Sequence, residues 1–453
     1  MYIIIIGCGK VGQTLTEYLA GENHDIVVID TNASKIEKVV HQYDVLGLCG
    51  NGANYDILLE ARANRADVVI CVTAQDELNI LAGLLAKNMG ANHLIARVRN
   101  PDYSKQKDIL REQFGFSMLI NPELEAASEI RRMIMFPSAM KVDTFSNGRI
   151  ELAEIKLNNE NKVIGKKLSE LHTISKSSVL ICAVRRKDDV IIPSGDYILE
   201  EKDHIYVTGT HRYLASFCLD IGAYKEKIND VMIIGGSRIA FYLTRALLFQ
   251  GIKVKIIERD HKKCYEFAKQ FPNALIIEAD GSDEEILLEE GIEHTDALVC
   301  LTGLDEENLI LSMAAKQLGV KKSIAKMNRT SLSSLIDNIG VDNVVSPKNI
   351  VASQIIGYLR AKSSDDENSS VKTLYKLVNG KVEALEFIVT ERFKGLSLKL
   401  MDLKLRNGIL VCGIFRNNEM IIPNGQDTLE VNDHVIVITS DPMIRNLNDI
   451  IGD

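Results

Sequence analysis

The chain is written twice. Ile3-Ile4-Ile5-Ile6-Gly7-Cys8-Gly9-Lys10-Val11-Gly12 returns as Val231-Met232-Ile233-Ile234-Gly235-Gly236-Ser237-Arg238-Ile239-Ala240, an offset of 228. Val72-Thr73-Ala74-Gln75-Asp76-Glu77-Leu78-Asn79 returns as Leu301-Thr302-Gly303-Leu304-Asp305-Glu306-Glu307-Asn308, an offset of 229. Pro193-Ser194-Gly195 and Asp203-His204 return as Pro423-Asn424-Gly425 and Asp433-His434, an offset of 230. A near-constant offset means that whole units were duplicated, and a repeat on this scale sets the architecture before any local reading does.

A length of 453 residues suggests about three domains, and the duplication raises this to four, as two pairs. The net charge is −9 and no basic patch stands out in the sequence, which argues against nucleic acid as a partner. The eight cysteines are scattered and none forms a Cys-x-x-Cys pair, so a zinc site is not expected and a reducing cytoplasm fits. Cys71 and Cys300 are repeat equivalents inside apolar runs and read as core thiols. No apolar run reaches the ~18–20 residues that a membrane span needs. The start, Met1-Tyr2-Ile3, lacks a basic region and leads straight into a strand, so it does not read as a signal peptide.

In the first unit, short apolar runs at 2–6, 26–29, 45–48, 67–72, 93–97 and 117–120 alternate with segments of helical periodicity. That alternation predicts a parallel sheet with helices on both faces, and residues 230 to about 345 repeat it. Residues from about 140 to 220 and from about 372 to 450 read as small β-rich units. The fold class is therefore α/β: two tandem Rossmann-like, doubly wound parallel-sheet domains, each followed by a small β-rich α+β domain. The expected boundaries are 1–138, 139–224, 228–362 and 371–453. Pro122 and Pro347 each open an apolar stripe of helical spacing. Such a helix either packs on its own unit or crosses over to a neighbouring domain or subunit. His204 and His434 have no second ligand at metal spacing and read as turn-to-strand positions. Ser363-Ser364-Asp365-Asp366-Glu367-Asn368-Ser369-Ser370 reads as a solvated loop or linker.

Gly7, Gly9 and Gly12 form Gly-x-Gly-x-x-Gly between a strand and a helix, the context that this motif requires. Gly7 permits the tight turn, Gly9 lets backbone approach a pyrophosphate, and Gly12 lets the helix pack close to the strand. Phosphates would sit on amides at the helix N-terminus. Asp30 ends the second strand, where a carboxylate accepts hydrogen bonds from ribose hydroxyls and repels a 2′-phosphate, favouring NAD(H) over NADP(H). Thr73-Ala74 ends the fourth strand at the ligand-binding edge, and Thr73 with Asp76 also fits a helix capping box. Arg97 ends the fifth strand, placed for a phosphate or for an edge salt bridge.

The second copy is eroded. Gly235 remains, but Ser237 replaces Gly9, Ala240 replaces Gly12 and Glu258 replaces Asp30. Binding there is expected to be weaker, or to favour ADP or ATP. A dehydrogenase also needs a proton donor and a substrate anchor, and no such constellation stands out in the small β-rich units.

These motifs together resemble the TrkA family, the peripheral subunits of bacterial Trk potassium-uptake systems, built from domains of the regulator-of-potassium-conductance (RCK) type. The residues that carry the resemblance are Gly7 to Gly12, Val28-Ile29-Asp30, Gly50-Asn51-Gly52, Val72-Thr73-Ala74 with Asp76, Glu77 and Asn79, and Ala96-Arg97-Val98-Arg99-Asn100-Pro101-Asp102-Tyr103. In the second half they are Ile256-Ile257-Glu258-Arg259, Asp280-Gly281-Ser282 and Asp305-Glu306-Glu307-Asn308. The resemblance implies a non-enzymatic cytoplasmic ring of four chains, peripheral at the inner face of the membrane, beneath a potassium-transporting subunit. It implies NAD(H) and adenine nucleotides as ligands. Carried over by motif, Gly7, Cys8, Gly9, Lys10, Val11, Gly12, Asp30, Thr73, Ala74 and Arg97 form a first nucleotide site. Gly235, Gly236, Ser237, Arg238, Ile239 and Glu258 form a second, whose departures leave its ligand open. Two other readings compete: a regulatory subunit of another cation channel or antiporter, and an NAD-dependent oxidoreductase.

Overall fold

A computed structural model describes residues 1–452 except positions 23, 105, 188, 329–340, 342, 364–370, 378 and 379. The polar run that begins at Ser363 therefore lies outside the described residues, apart from Ser363 itself, which ends a helix.

Four sheets organise the described residues. β1 (Tyr2–Ile6), β2 (Asp25–Asp30), β3 (Leu46–Cys49), β4 (Val68–Cys71), β5 (His93–Arg97) and β6 (Met118–Ile120) form a sheet in the order β3-β2-β1-β4-β5-β6, parallel throughout. Ile3 to Ile6 are buried without alternation, as expected of a central strand covered by helices on both faces. β7 (Lys141–Phe145), β8 (Ile150–Lys156), β9 (Leu180–Arg186), β10 (Asp189–Ile191) and β11 (His204–Gly209) form an antiparallel sheet in the order β10-β9-β11-β8-β7.

The second half repeats the plan. β12 (Asp230–Ile234), β13 (Lys253–Glu258), β14 (Leu275–Glu278), β15 (Ala297–Cys300), β16 (Lys322–Lys326) and β17 (Asn343–Val345) take the order β14-β13-β12-β15-β16-β17. β18 (Thr373–Leu377), β19 (Val382–Ile388), β20 (Ile409–Arg416), β21 (Glu419–Ile421) and β22 (His434–Thr439) close the chain as β18-β19-β22-β20-β21. The duplication reaches small irregularities. Cys182 and Cys412 are each the extra residue of a bulge, where pairing to β11 or β22 shifts register.

The described contacts divide the chain into two compact units. One is Met1–Ala127 with Lys326–Thr330 and Ser346–Ala352, and contains the first parallel sheet. The other is Ser128–Ala325, Ser331–Val345 and Ser353–Asp453. The helix Pro122–Met135 contributes residues to both units. It begins where the sequence places it: Pro122 is its first residue, and the Asn121 side-chain Oδ1 accepts from the Leu124 amide at 3.0 Å.

Within the second unit, the two antiparallel sheets share one core. Phe145, Leu152, Cys182 and Tyr206 from one pack with Leu377, Ala384, Cys412 and Ile436 from the other. Polar contacts fix the register. The Tyr375 hydroxyl donates to the Thr144 carbonyl at 2.9 Å, and the Thr208 hydroxyl donates to the Cys412 carbonyl at 2.8 Å.

Candidate functional site

The first site lies where strand order reverses, between β1 and β4, at the carboxyl ends of the strands. Gly7 leaves β1 with φ +109°, in the region that favours glycine. A Cβ on Gly7 would lie 2.9 Å from the Thr73 amide nitrogen, so the loop after β1 runs directly against the end of β4. A Cβ on Gly12 would lie 1.9 Å from the Gly7 carbonyl oxygen, which explains why helix Lys10–Ala20 needs glycine there. A Cβ on Gly9 would meet nothing within 4 Å. The surface over Gly9, at the helix N-cap, is open to a phosphate group.

Asp30 serves the same loop. One carboxylate oxygen accepts from the Cys8 amide at 2.7 Å and the other from the Asn32 amide at 2.9 Å. A carboxylate has roughly four acceptor positions, so both oxygens keep capacity for a ribose. Burial, reinforced by the charge of Asp30, pushes the Cys8 thiol up to about 12, so Cys8 is no nucleophile at neutral pH.

Thr73 and Asp76 do not form the expected capping box. The helix Asp76–Met89 has Gln75 at its N-cap, with no side-chain cap. The organising residue is Asn79, fully buried. Its side-chain carbonyl accepts from the Thr73 amide (2.8 Å) and hydroxyl (2.7 Å), and its amide donates to the Arg97 carbonyl (2.9 Å). Asn79 therefore joins the ends of β4 and β5. Asp76 holds the next turn by accepting from the Arg99 and Asn100 amides, both at 2.8 Å. The signal for both lay in the sequence, since Asp-x-x-Asn recurs at 305 and 308, and Asn308 accepts from the Thr302 amide at 2.9 Å. The Arg97 guanidinium donates to the Thr73 carbonyl, beside the crevice. Gly7, Gly9, Gly12, Asp30, Thr73 and Arg97 thus converge within one unit.

The second copy keeps the backbone plan and closes it. Gly235 has φ +95°, and Glu258 repeats Asp30 by accepting from the Gly236 amide at 2.6 Å and the Asp260 amide at 2.9 Å. The Ser237 hydroxyl caps the following helix by accepting from the Ala240 amide at 3.3 Å. The Ser237 amide donates to the Gly235 carbonyl at 3.0 Å. Glu258 is 8% exposed, lies 3.6 Å from the Lys263 ammonium, and has Phe267 packed beside Gly236. The helix end that is open over Gly9 is thus filled by a protein hydroxyl at Ser237.

This contrast gives a testable expectation. Gly12→Ala should destabilise the first unit by about 1–3 kcal/mol, the usual cost of overpacking, because its methyl group meets backbone and not a movable side chain. Urea unfolding measures it, and an unchanged midpoint would mean that the loop adopts the second copy's turn without cost.

His204 and His434 do have carboxylate partners, 50 and 48 residues away in the chain. The His204 ring contacts Glu154 at 2.8 Å and the His434 ring contacts Glu386 at 2.8 Å, equivalent cross-strand pairs. Among the described residues, no group of three His, Cys, Asp or Glu could hold a metal ion. Cys71 and Cys300 are fully buried, as expected.

A doubly wound parallel sheet with a glycine turn after its first strand and a carboxylate ending its second, given twice and followed each time by a small β domain, defines a tandem Rossmann-like architecture. The TrkA-N domain model matches residues 3–122 and 231–347, and the TrkA-C domain model matches 152–222 and 387–452. The chain belongs to the TrkA family. It is 30% identical to the Trk system potassium uptake protein TrkA homolog 2 of Methanosarcina mazei, covering 99% of each chain. It is 30% identical to the Trk system potassium uptake protein TrkA of Haemophilus influenzae, covering 97% of this chain and 96% of that one. These relatives are named for potassium uptake, and the family is one of transport proteins, not enzymes. In fold, the chain is similar to the GsuK channel bound to NAD, with a TM-score of 0.63 and 19% identity over 97% of this chain and 76% of that one. Among the described residues, no helix is long and apolar enough to cross a membrane.

Proposed function

We propose that this chain is a nucleotide-sensing regulatory subunit of a potassium-uptake system, acting at the cytoplasmic face of a membrane-embedded Trk-type partner. The observation that carries the reading is the inequality of its two sites within one duplicated frame. The Gly9 turn is open beside Asp30, whereas the Ser237 turn is capped beside a buried Glu258. Two copies that differ in this way can answer different ligands. The first is assigned NAD(H), and the second either binds more weakly or takes a different nucleotide such as ADP or ATP. The family's Trk relatives and the NAD-bound GsuK fold support the same direction.

A subunit without a span acts on a pore only through contacts that differ between its states, and a ligand shifts such states by its differential affinity for them. Four chains would place eight Rossmann units in a ring beneath the partner. The helices that begin at Pro122 and Pro347 are the candidates to join neighbours. Calorimetry tests the inequality: NADH should titrate with about one site per chain, and two equal NADH sites would contradict it. Light scattering should give a tetramer, and a monomer at micromolar concentration would remove the ring.

A further inference from the structure

The second unit contains a cavity of about 730 Å3 that belongs to neither Rossmann site. It lies along the seam of the two antiparallel sheets, roofed by the last turn of the helix Pro122–Met135. Its floor is β7 and β8 on one side and β18 and β19 on the other. This is ample for a small organic ligand, which such clefts usually hold in about 300–1,000 Å3.

The charges of the wall are uneven. Its two carboxylates are already engaged by protein donors. Glu386 accepts from the Ser146 amide (3.1 Å) and hydroxyl (2.9 Å) and from the Thr373 hydroxyl (2.8 Å), and contacts His434. Glu151 contacts His211 at 3.1 Å and raises that ring's affinity for a proton. The two arginines are less committed. Arg132 uses its Nε on the Val142 carbonyl at 2.9 Å, which leaves its terminal nitrogens for other contacts. Arg131, next to it, is partly buried and has no carboxylate partner among the described residues. Burial and the neighbouring Arg132 charge both lower its affinity for a proton. Lys372 adds a third cation from the opposite wall. Half-buried adjacent guanidiniums without an acid repel one another, and an anion of two or more charges removes that penalty. Met135, Phe136, Val142 and Ile388 line the same space and offer apolar surface to a carbon skeleton.

The geometry points to a ligand site at this seam for an organic phosphate monoester of about mononucleotide size. Arg131 and Arg132 receive the phosphate, and the apolar wall receives the organic moiety. Guanidiniums suit the phosphate because they can pair with it through two parallel N–H bonds. The ligand would bridge the end of the helix Pro122–Met135 and the start of β18, two segments that the chain separates by more than two hundred residues.

The test uses the full chain carrying Asp30→Ala and Glu258→Ala, which removes both ribose carboxylates of the Rossmann sites. Calorimetry at low salt with 5′-AMP as the probe should show one saturable site. Inorganic phosphate should compete for it more weakly, because it lacks the organic moiety. Adding Arg131→Ala should weaken AMP about tenfold or more, as expected for loss of a charge-assisted contact, and Arg131→Lys should recover only part of it. Arg132→Lys provides a second variant, which keeps a charge in the wall while removing the two-bond pairing. AMP affinity unchanged in both Arg131→Ala and Arg132→Lys would overturn the assignment, as would a lack of AMP binding in the parent. Phosphate and AMP binding with equal affinity would overturn the organic half of it. NADH binding to the unmutated chain is a separate measurement, so failure here leaves the Rossmann assignment intact.

Discussion

Asp30→Ala should abolish measurable NADH binding at the first site. Two hydrogen bonds from ribose hydroxyls to a charged acceptor are each worth about 1.5–3 kcal/mol, so losing both costs roughly 3–6 kcal/mol, a factor of roughly 10² to 10⁴ in affinity. The substitution also orphans the Cys8 amide, which donates to Asp30 at 2.7 Å inside the glycine turn. Binding and loop geometry thus fail together. In the unmutated chain the same carboxylate repels a 2′-phosphate, so NADPH should bind far more weakly than NADH. Calorimetry on both proteins reads the effect, with circular dichroism to show that the variant is folded. Equal affinity of the unmutated chain for NADH and NADPH would remove Asp30 as the selecting residue.

The largest effect on stability is expected from Glu383→Ala. Arg360, on the helix Pro347–Ser363, meets Glu383 on β19 through bonds of 2.5 and 3.2 Å, and each side chain is 3% exposed. Removing the carboxylate takes an ion partner from a buried guanidinium, which typically costs about 3–5 kcal/mol. Replacing both, as Arg360→Met with Glu383→Leu, should recover most of that loss, because an apolar pair of similar volume avoids the desolvation of two ions. Urea unfolding of the three variants gives the comparison. A loss below about 1 kcal/mol in Glu383→Ala would show that water reaches the guanidinium.

Much of this architecture was legible because duplication gives each signal two chances. The run Ile3–Ile6 and its copy Val231–Ile234 mark central strands by unbroken apolarity, and Gly7 with Gly235 marks the turns by residue type alone. Asp30 was legible because its distance from Gly12 is set by one helix and one strand. What the sequence hid were contacts fixed only by tertiary register. Asn79 looks like a polar residue near a helix start, yet it is fully buried and joins two strand ends. The Glu154–His204 and Glu386–His434 pairs depend on antiparallel register across strands that no local spacing reveals. Ser237 could be read as an obstacle at the phosphate position. That its hydroxyl also caps the helix follows only from the turn that the structure gives it.

The central claim is that nucleotide at the first site controls potassium movement through a membrane partner. The most direct measurement is potassium flux in proteoliposomes containing a Trk-type membrane subunit reconstituted with this chain, titrated with NADH and, separately, with ATP and ADP. Flux should change with NADH, respond differently to ADP or ATP, and lose the NADH response in Asp30→Ala while the complex remains assembled. Flux indifferent to every adenine nucleotide, in a complex shown to be intact, would contradict the account.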